Sequence, residues 1–488
     1  MESNSNIHSS SWVRTIATKG SWYLLSSVFS KGVSFFLIPV YTHYLLPADY
    51  GILNSINSVA QLLPIAMSLY LDSAFGRFFH EKKHDQNELS RLFSTVFWFV
   101  TINGALVLVV FISSGPLWMP RTLKIDIWPT AYLAFIPVLF LQLSQLGLVF
   151  LRQSLDSKRT TFLEISSTIL MVGVTLPLLI GASIGYTAKL IGAAVQAVAL
   201  LVYYVIFFAR KRILRLEISG AVLKECLLFS VPLIPNVAGG WITSLSDRLI
   251  IGHYSNMGDV GLYSLAAQIG LLLYVLQDSI TQVTSAITIS GLIKDTQNTK
   301  RKISSLSISV WAIMLAADLG LSMYATDLMA ILAPRSYSGT ASIIGVLGFS
   351  YVLSAQYRIY SDIIAYRRKT WVISTGGLIM ACCSLLGNIL VVPRWGYHAS
   401  AFVNVTAMFA YTAWIFAWAM KYERLEFPGV RFIGLLLLFG AAIILGVAVE
   451  SFPLLTRNLI RLVIFVAFSG VAYLIIRTKL KSLKGSAL

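Results

Sequence analysis

Three cations sit where water should not reach. Lys31, Arg248 and Arg358 each lie inside an apolar run long enough to cross a bilayer. A Lys or Arg near the bilayer centre costs about 2.5–3.5 kcal/mol on insertion scales, so one kept there has a partner or a task. Lys31 lies about ten residues into its run, about 15 Å deep at 1.5 Å per helical residue, and no acid stands within one turn of it. Arg358 has Asp362 one turn on, a spacing that supports an intrahelical pair. Arg248 adjoins Asp247 near the end of its run, where a long side chain can snorkel to the interface. The chemistry open to all three is recognition of an anionic oxygen group, with Lys31 the strongest candidate.

Polar residues share faces with these cations. In the first run Ser27, Ser30, Lys31 and Ser34 recur at i, i+3, i+4 and i+7, which is one side of a helix. The second carries Asn54, Asn57, Gln61, Pro64, Ser68 and Asp72 as one stripe; the seventh carries Asn236, Gly240, Thr243, Ser244 and Asp247; the tenth carries Ser350, Ser354, Arg358, Ser361 and Asp362. A weaker stripe in the fourth holds Gln142, Gln145 and Arg152. Small hydroxyl residues also serve as packing contacts between membrane helices. Stripes that include a charge read instead as the wall of a hydrated path, with Ser27, Ser34, Asn54, Asn57, Gln61, Asn236, Ser244 and Ser354 as its polar lining. Asp72, Asp247, Asp278 and Asp362 are the acids that could couple movement to H⁺ or Na⁺, and Asp318 is a further acid expected near an interface.

One motif points elsewhere. His80-Glu81-Lys82-Lys83-His84 matches H-E-x-x-H, which puts two imidazoles one turn apart for zinc. Both variable positions are Lys, whose charge opposes a dication, and no third ligand is evident, so metal catalysis is not expected. The chain has no P-loop, no G-x-S-x-G and no G-x-G-x-x-G, and no cofactor is expected.

The elements that must position these residues are membrane helices. The 488 residues are 57% hydrophobic and 12% charged, with mean hydropathy +0.75, far more apolar surface than a soluble core could hide. A span takes about 20 apolar residues. About fourteen such stretches begin near residues 21, 50, 93, 129, 162, 188, 227, 261, 305, 342, 371, 399, 433 and 460, with the divisions near 129, 188 and 399 resting on very short loops. Of 38 Lys and Arg, 28 fall on the side of the N-terminus and 7 on the opposite side, which predicts both termini in the cytoplasm. The net charge of +17 is this bias spread over short loops and not a nucleic-acid footprint. The Ser-rich first 20 residues lack the apolar core of a cleavable signal. Cys226, Cys382 and Cys383 suggest no disulfide framework. No extramembrane segment exceeds about 16 residues, which leaves no room for a soluble catalytic domain.

The chain also repeats a phrase. Tyr44, Asp49 and Gly51 recur as Tyr254, Asp259 and Gly261, the pattern Y-x4-D-x-G displaced by 210 positions without a gap. Each copy closes one apolar run and opens the next. So long a repeat fits duplicated halves of one fold, the way membrane transporters build a central path. Pro47 with Asp49, and Gly258 with Asp259, read as turn and helix-start chemistry, so both aspartates are expected to cap helices without touching a ligand.

At these residues the chain resembles a known family. FFLIPVYTHYLLPADYGILNSINS, followed by Asp72-SAFGRFFHE, and the stretch from Phe229 to Gly270 with its P-x-x-P and Ser-Asp-Arg elements, are similar to polysaccharide-biosynthesis exporters of the Wzx type. That family sits in the superfamily that includes MATE multidrug exporters and lipid II flippases. The resemblance implies an all-α polytopic fold: two pseudo-symmetric six-helix lobes around a central cavity, plus two C-terminal helices. Its boundaries fall at a cytoplasmic tail 1–20, an N-lobe 21–210, a C-lobe 211–432, and a final helix pair with its tail at 433–488. It implies a non-enzymatic monomer of the bacterial inner membrane that flips undecaprenyl-pyrophosphate-linked oligosaccharide outward and works beside a polysaccharide polymerase or chain-length complex. His43 departs from the family, where many relatives carry Arg, and this puts a headgroup role for that position in doubt or makes it pH-dependent.

The physical problem such a substrate poses is that sugar and pyrophosphate cannot cross hydrocarbon while the polyprenyl chain prefers it. A polar cavity open sideways to lipid would serve all three parts, with Lys31, Arg248 and Arg358 meeting the pyrophosphate. Two rival readings remain: a MATE-type cation-coupled drug antiporter, which should have twelve spans and an acid-dominated site, and a membrane polysaccharide polymerase or ligase, which should carry a large outer loop.

Overall fold

A computed structural model describes residues 21–22, 25–26, 28–124, 127–294, 297–423 and 427–485. Helices account for nearly all of it, and no strand occurs among the described residues. In chain order they are α1 (28–36), α2 (Ile38–Tyr44), α3 (Pro47–Ser68), α4 (Leu71–Lys82), α5 (Gln86–Thr122), α6 (Tyr132–Gln153), α7 (Ser157–Leu176), α8 (Thr187–Arg210), α9 (Gly220–Ser230), α10 (Ile234–Tyr254), α11 (Met257–Lys294), α12 (Gln297–Met323), α13 (Ala325–Leu332), α14 (Ala341–Tyr366), α15 (Thr370–Glu423), α16 (Gly429–Ala448) and α17 (Leu454–Gly485). Their starts are written in the sequence as capping residues. Asp85 accepts the amides of Asn87 and Glu88 at 2.8 and 3.4 Å before α5, and Asp156 accepts that of Arg159 at 3.3 Å before α7.

Eleven of these helices, or up to twelve if the bent pair α3 and α4 forms one span, are long and apolar enough to cross a membrane. The exact count of fourteen is not confirmed by these helices. The span expected from residue 21 includes residues outside the described set. The runs expected at 371 and 399 form the single 54-residue α15, about 81 Å if straight, against about 30 Å of hydrocarbon. At Gly396 the backbone leaves the helical region, with φ 63° and ψ −155°. The two halves then fold back on each other: Trp414 donates to the carbonyl of Val372 at 3.0 Å, and Gly387 faces Val403. α15 is thus a helical hairpin, and the left-handed φ at its turn is one that glycine adopts at no steric cost.

The stripe expected to run unbroken through the second span is interrupted as well. Ser68 donates to the carbonyl of Pro64 at 2.9 Å and accepts the Tyr70 amide at 3.2 Å. Leu69 and Tyr70 then both take left-handed φ, 49° and 61°, and α4 leaves at 50° to α3. Asp72 consequently stands on a different helix from Asn54, Asn57 and Gln61.

The chain forms two compact units that divide after Trp241, inside α10. In the first unit the interior is aromatic: Phe75, Phe93, Phe150 and Phe208 are buried, with the rings of Phe93 and Phe208 4.2 Å apart. The segment after α8 stays with this unit because α5 holds its backbone. Ser94 donates to the carbonyl of Ile213 at 3.1 Å and accepts the Arg215 amide at 2.8 Å; Trp98 donates to the Arg215 carbonyl at 2.7 Å; Thr95 accepts the Ser219 amide at 3.0 Å. In the second unit α14 packs against α11, α12 and α15, and α12 in turn packs against α16 and α17.

Candidate functional site

In the first unit Lys31 is exposed on α1. Ser34, also exposed, turns its hydroxyl back onto its own helix, donating to the Ser30 carbonyl at 2.9 Å. Asn54 does the same, its Nδ2 donating to the Tyr50 carbonyl at 2.8 Å, while Asn57 is half-buried and Gln61 exposed. Ser27 lies outside the described residues, as do the side chains of Asn236 and Ser244. The H-E-x-x-H motif holds no metal arrangement: His80 Nε2 contacts Gln153 Oε1 at 2.8 Å, Glu81 pairs with Arg77, and no group of three or more His, Cys, Asp or Glu suited to a metal occurs among the described residues.

The second unit holds the more structured polar site. Asp247 is 4% exposed, and both carboxylate oxygens are occupied. One accepts the Arg248 amide at 2.9 Å and its guanidinium at 3.3 Å; the other accepts the Tyr263 hydroxyl from α11. Asp247 therefore neutralises and fixes Arg248.

Arg358 differs. Its Nε is buried and has no hydrogen-bond partner among the described residues. The close pair anticipated with Asp362 is not made: no hydrogen bond or ion pair within 4.0 Å joins the two side chains, though Arg358 still lies near enough to act on Asp362 through its charge. An unsatisfied buried guanidinium nitrogen costs about 1–3 kcal/mol or more, which makes Arg358 the one of the three cations with a vacant, ready donor. Ser354, expected on a lining face, is 7% exposed and accepts Gln277 Nε2 at 3.0 Å, so it joins α14 to α11. Gln356, Ser307 and Tyr360 form a second buried group that joins α14 to α12. Asp278 accepts Gln282 Nε2 at 3.1 Å on its own helix.

Sequence reasoning undervalued Asp318. It is completely buried on α12, and neither carboxylate oxygen has a hydrogen-bond partner among the described residues. The side chain lies against the α14 backbone: a Cβ built at Gly348 would approach its Oδ1 to 2.2 Å, so only glycine leaves room. The pairing of Gly345 and Gly348 on the facing helix was the available signal.

A family model described as "Polysaccharide biosynthesis protein" matches residues 42–342. The chain belongs to this family. The polysaccharide biosynthesis match covers both copies of the repeated phrase and Asp247, Arg248 and Asp318, and stops just inside α14, before Arg358. A protein of the Lsg locus of Haemophilus influenzae is 23% identical over 401 residues, 76% of this chain and 88% of that protein. Among solved structures, the lipid II flippase MurJ in an inward closed conformation superposes with a TM-score of 0.70 at 13% identity, over 94% of this chain and 99% of that one. An inward-facing multidrug resistance MATE family transporter of the MOP superfamily gives 0.62 at 13% identity, over 82% and 96%. The fold is therefore that of MurJ and the MATE transporters, in a multi-pass membrane member of the polysaccharide biosynthesis family.

Proposed function

We propose that the protein moves a polyprenyl-pyrophosphate-linked oligosaccharide from the cytoplasmic to the outer leaflet of the bacterial inner membrane by alternating access. The single observation that carries this reading is Arg358: a buried guanidinium nitrogen without an acceptor among the described residues, in a membrane helix of a polysaccharide biosynthesis protein. Pyrophosphate supplies acceptors in the planar geometry that Arg favours. Lys31, exposed on α1, is the second cation for the headgroup. Arg248, fixed by Asp247 and Tyr263, contributes field more than contact.

A pyrophosphate diester carries about two negative charges, each worth about 2.3 kcal/mol per 100 mV, so an inside-negative potential favours outward movement. Asp318 is the acid best placed for H⁺ coupling, since it lies buried beside Gly348 without a hydrogen-bond partner among the described residues.

The test is flipping of a fluorescent polyprenyl-pyrophosphoryl oligosaccharide in vesicles holding the full chain, with a potential of either sign. Inside-negative potential should accelerate export, and Arg358→Gln and Lys31→Ala should each abolish it at normal membrane levels. Indifference to the sign removes the voltage argument. Unchanged transport in both variants removes the cationic headgroup site.

A further inference from the structure

The second unit contains a cavity of about 560 Å³ unrelated to Arg248 or Arg358, bounded by α12, α14, the later half of α15 and α16, with Arg461 of α17 at its edge. That volume is in the range of small-molecule sites. Its polar residues gather at one end, where α13 and the turns Arg335–Thr340 and Val449–Ser451 lie. Its apolar wall runs inward from there. Phe439 on α16 precedes Glu450 by about eleven residues, about 16 Å at 1.5 Å per residue, and Ile443 and Phe349 belong to the same apolar wall. A slot that is polar at the loop level and apolar for about half a bilayer inward has the profile of a membrane lipid.

The mouth specifies the headgroup. Arg461 is 3% exposed; it reaches Asp327 at 3.2 Å and the Gly446 carbonyl at 3.4 Å. Its distance to Glu450 is 3.8 Å, too long for a hydrogen bond, and its Nε is buried with no acceptor among the described residues. Arg457 pairs with Asp327 from the other side, and Thr326 donates to Glu450 at 3.2 Å. Two arginines and two acids balance, so an anionic headgroup would bring a phosphate without compensation for Glu450. A headgroup with both signs completes the set: a phosphate oxygen for Arg461 Nε and an ammonium for the half-exposed Glu450 carboxylate.

We infer that this cavity is a resident lipid site for a glycerophospholipid with a primary ammonium, phosphate toward Arg461, ammonium toward Glu450 and one acyl chain along Phe439 and Phe349. The site is independent of the exported substrate. The test uses the purified full chain, exchanged into an equimolar mixture of phosphatidylethanolamine and phosphatidylglycerol with identical acyl chains, and native mass spectrometry of what stays bound. Phosphatidylethanolamine should be retained about threefold over phosphatidylglycerol, the size of a part-exposed ion pair. Glu450→Gln should equalise the two lipids while a lipid remains bound. Ala341→Trp, which fills the slot, should release it. Equal retention of both lipids by the parent protein overturns the proposal, as does undiminished retention in Ala341→Trp. Displacement of the bound lipid by equimolar undecaprenyl phosphate would assign the slot to a prenyl chain and overturn it too. Should Ala341→Trp not fold, Glu450→Gln, a loop change on a half-exposed side chain, decides alone.

Discussion

The two copies of the repeated phrase build the same joint with different chemistry. α2 ends at Tyr44 and α3 starts at Pro47; α10 ends at Tyr254 and α11 starts at Met257, the same spacing in each unit. A histidine precedes each tyrosine, with ring centroids 5.5 and 4.8 Å apart, so the repeat extends to His43 and His253. Displaced by the same 210 positions, however, Asp247, Arg248 and Tyr263 correspond to Leu37, Ile38 and Leu53, at 9%, 1% and 1% exposure. One unit packs this place with aliphatic side chains; the other packs it with a carboxylate, a guanidinium and a phenol. The backbone therefore does not need the charges, and their presence in one copy points to use.

The sharpest way to break that comparison is to remove half of the polar set. Asp247→Asn removes the carboxylate charge that Arg248 and Tyr263 both bind and should destabilise the detergent-purified protein by about 3–5 kcal/mol, read from its unfolding transition. The triple change Asp247→Leu, Arg248→Ile, Tyr263→Leu copies the first unit and should fall within about 1 kcal/mol of the parent, because a buried ion pair and an apolar set of similar volume are often equivalent. Export should nevertheless fall in the triple variant. A triple variant as unstable as the single one would show that the two joints are not interchangeable.

A smaller effect separates the two aspartates of the phrase. Leu46 has no side-chain oxygen, so at α3 the capping contact is Asp49 accepting the Leu46 amide at 3.4 Å. At α11 Asn256 accepts the Asp259 amide at 2.9 Å, and Asp259 is held separately by the Ser255 hydroxyl. Asp49→Ala should cost about 1 kcal/mol, and Asp259→Ala about half of that, since Asn256 remains. Equal losses by thermal unfolding would mean that Asn256 contributes nothing.

Much of this was legible in the chain. Hydropathy located the helices because a span must be apolar over a fixed length, and the duplicated phrase located corresponding joints in both units. What failed depended on partners distant in sequence or on local backbone. The break after Ser68 uses left-handed φ at Leu69 and Tyr70, residue types that announce no turn. Asp247 and Arg248 are adjacent and do not share a helix face, so spacing rules gave them no pair; Tyr263, arriving from α11, completes one. Arg358 and Asp362 had the favourable spacing, yet no hydrogen bond or ion pair joins them. Asp318 appeared to be one acid among several, since only the glycines of α14 show how deeply it is packed.

The most direct test of homology between the joints is a change that should stabilise the protein. Leu46 occupies the position that corresponds to Asn256, is 66% exposed, and has φ −71° and ψ 158°, the extended backbone of a capping residue. Leu46→Asn should let that side chain accept the Asp49 amide as Asn256 accepts that of Asp259, while Asp49 keeps the amide of residue 46. Both arms of a capping box would then be present, and the protein should gain about 0.5–1 kcal/mol by thermal unfolding. Adding Asp49→Ala should leave the transition near that of the parent, because one arm would have been exchanged for the other. If Leu46→Asn gives no gain, its side chain serves the bilayer and not the turn, and the two joints share only their spacing.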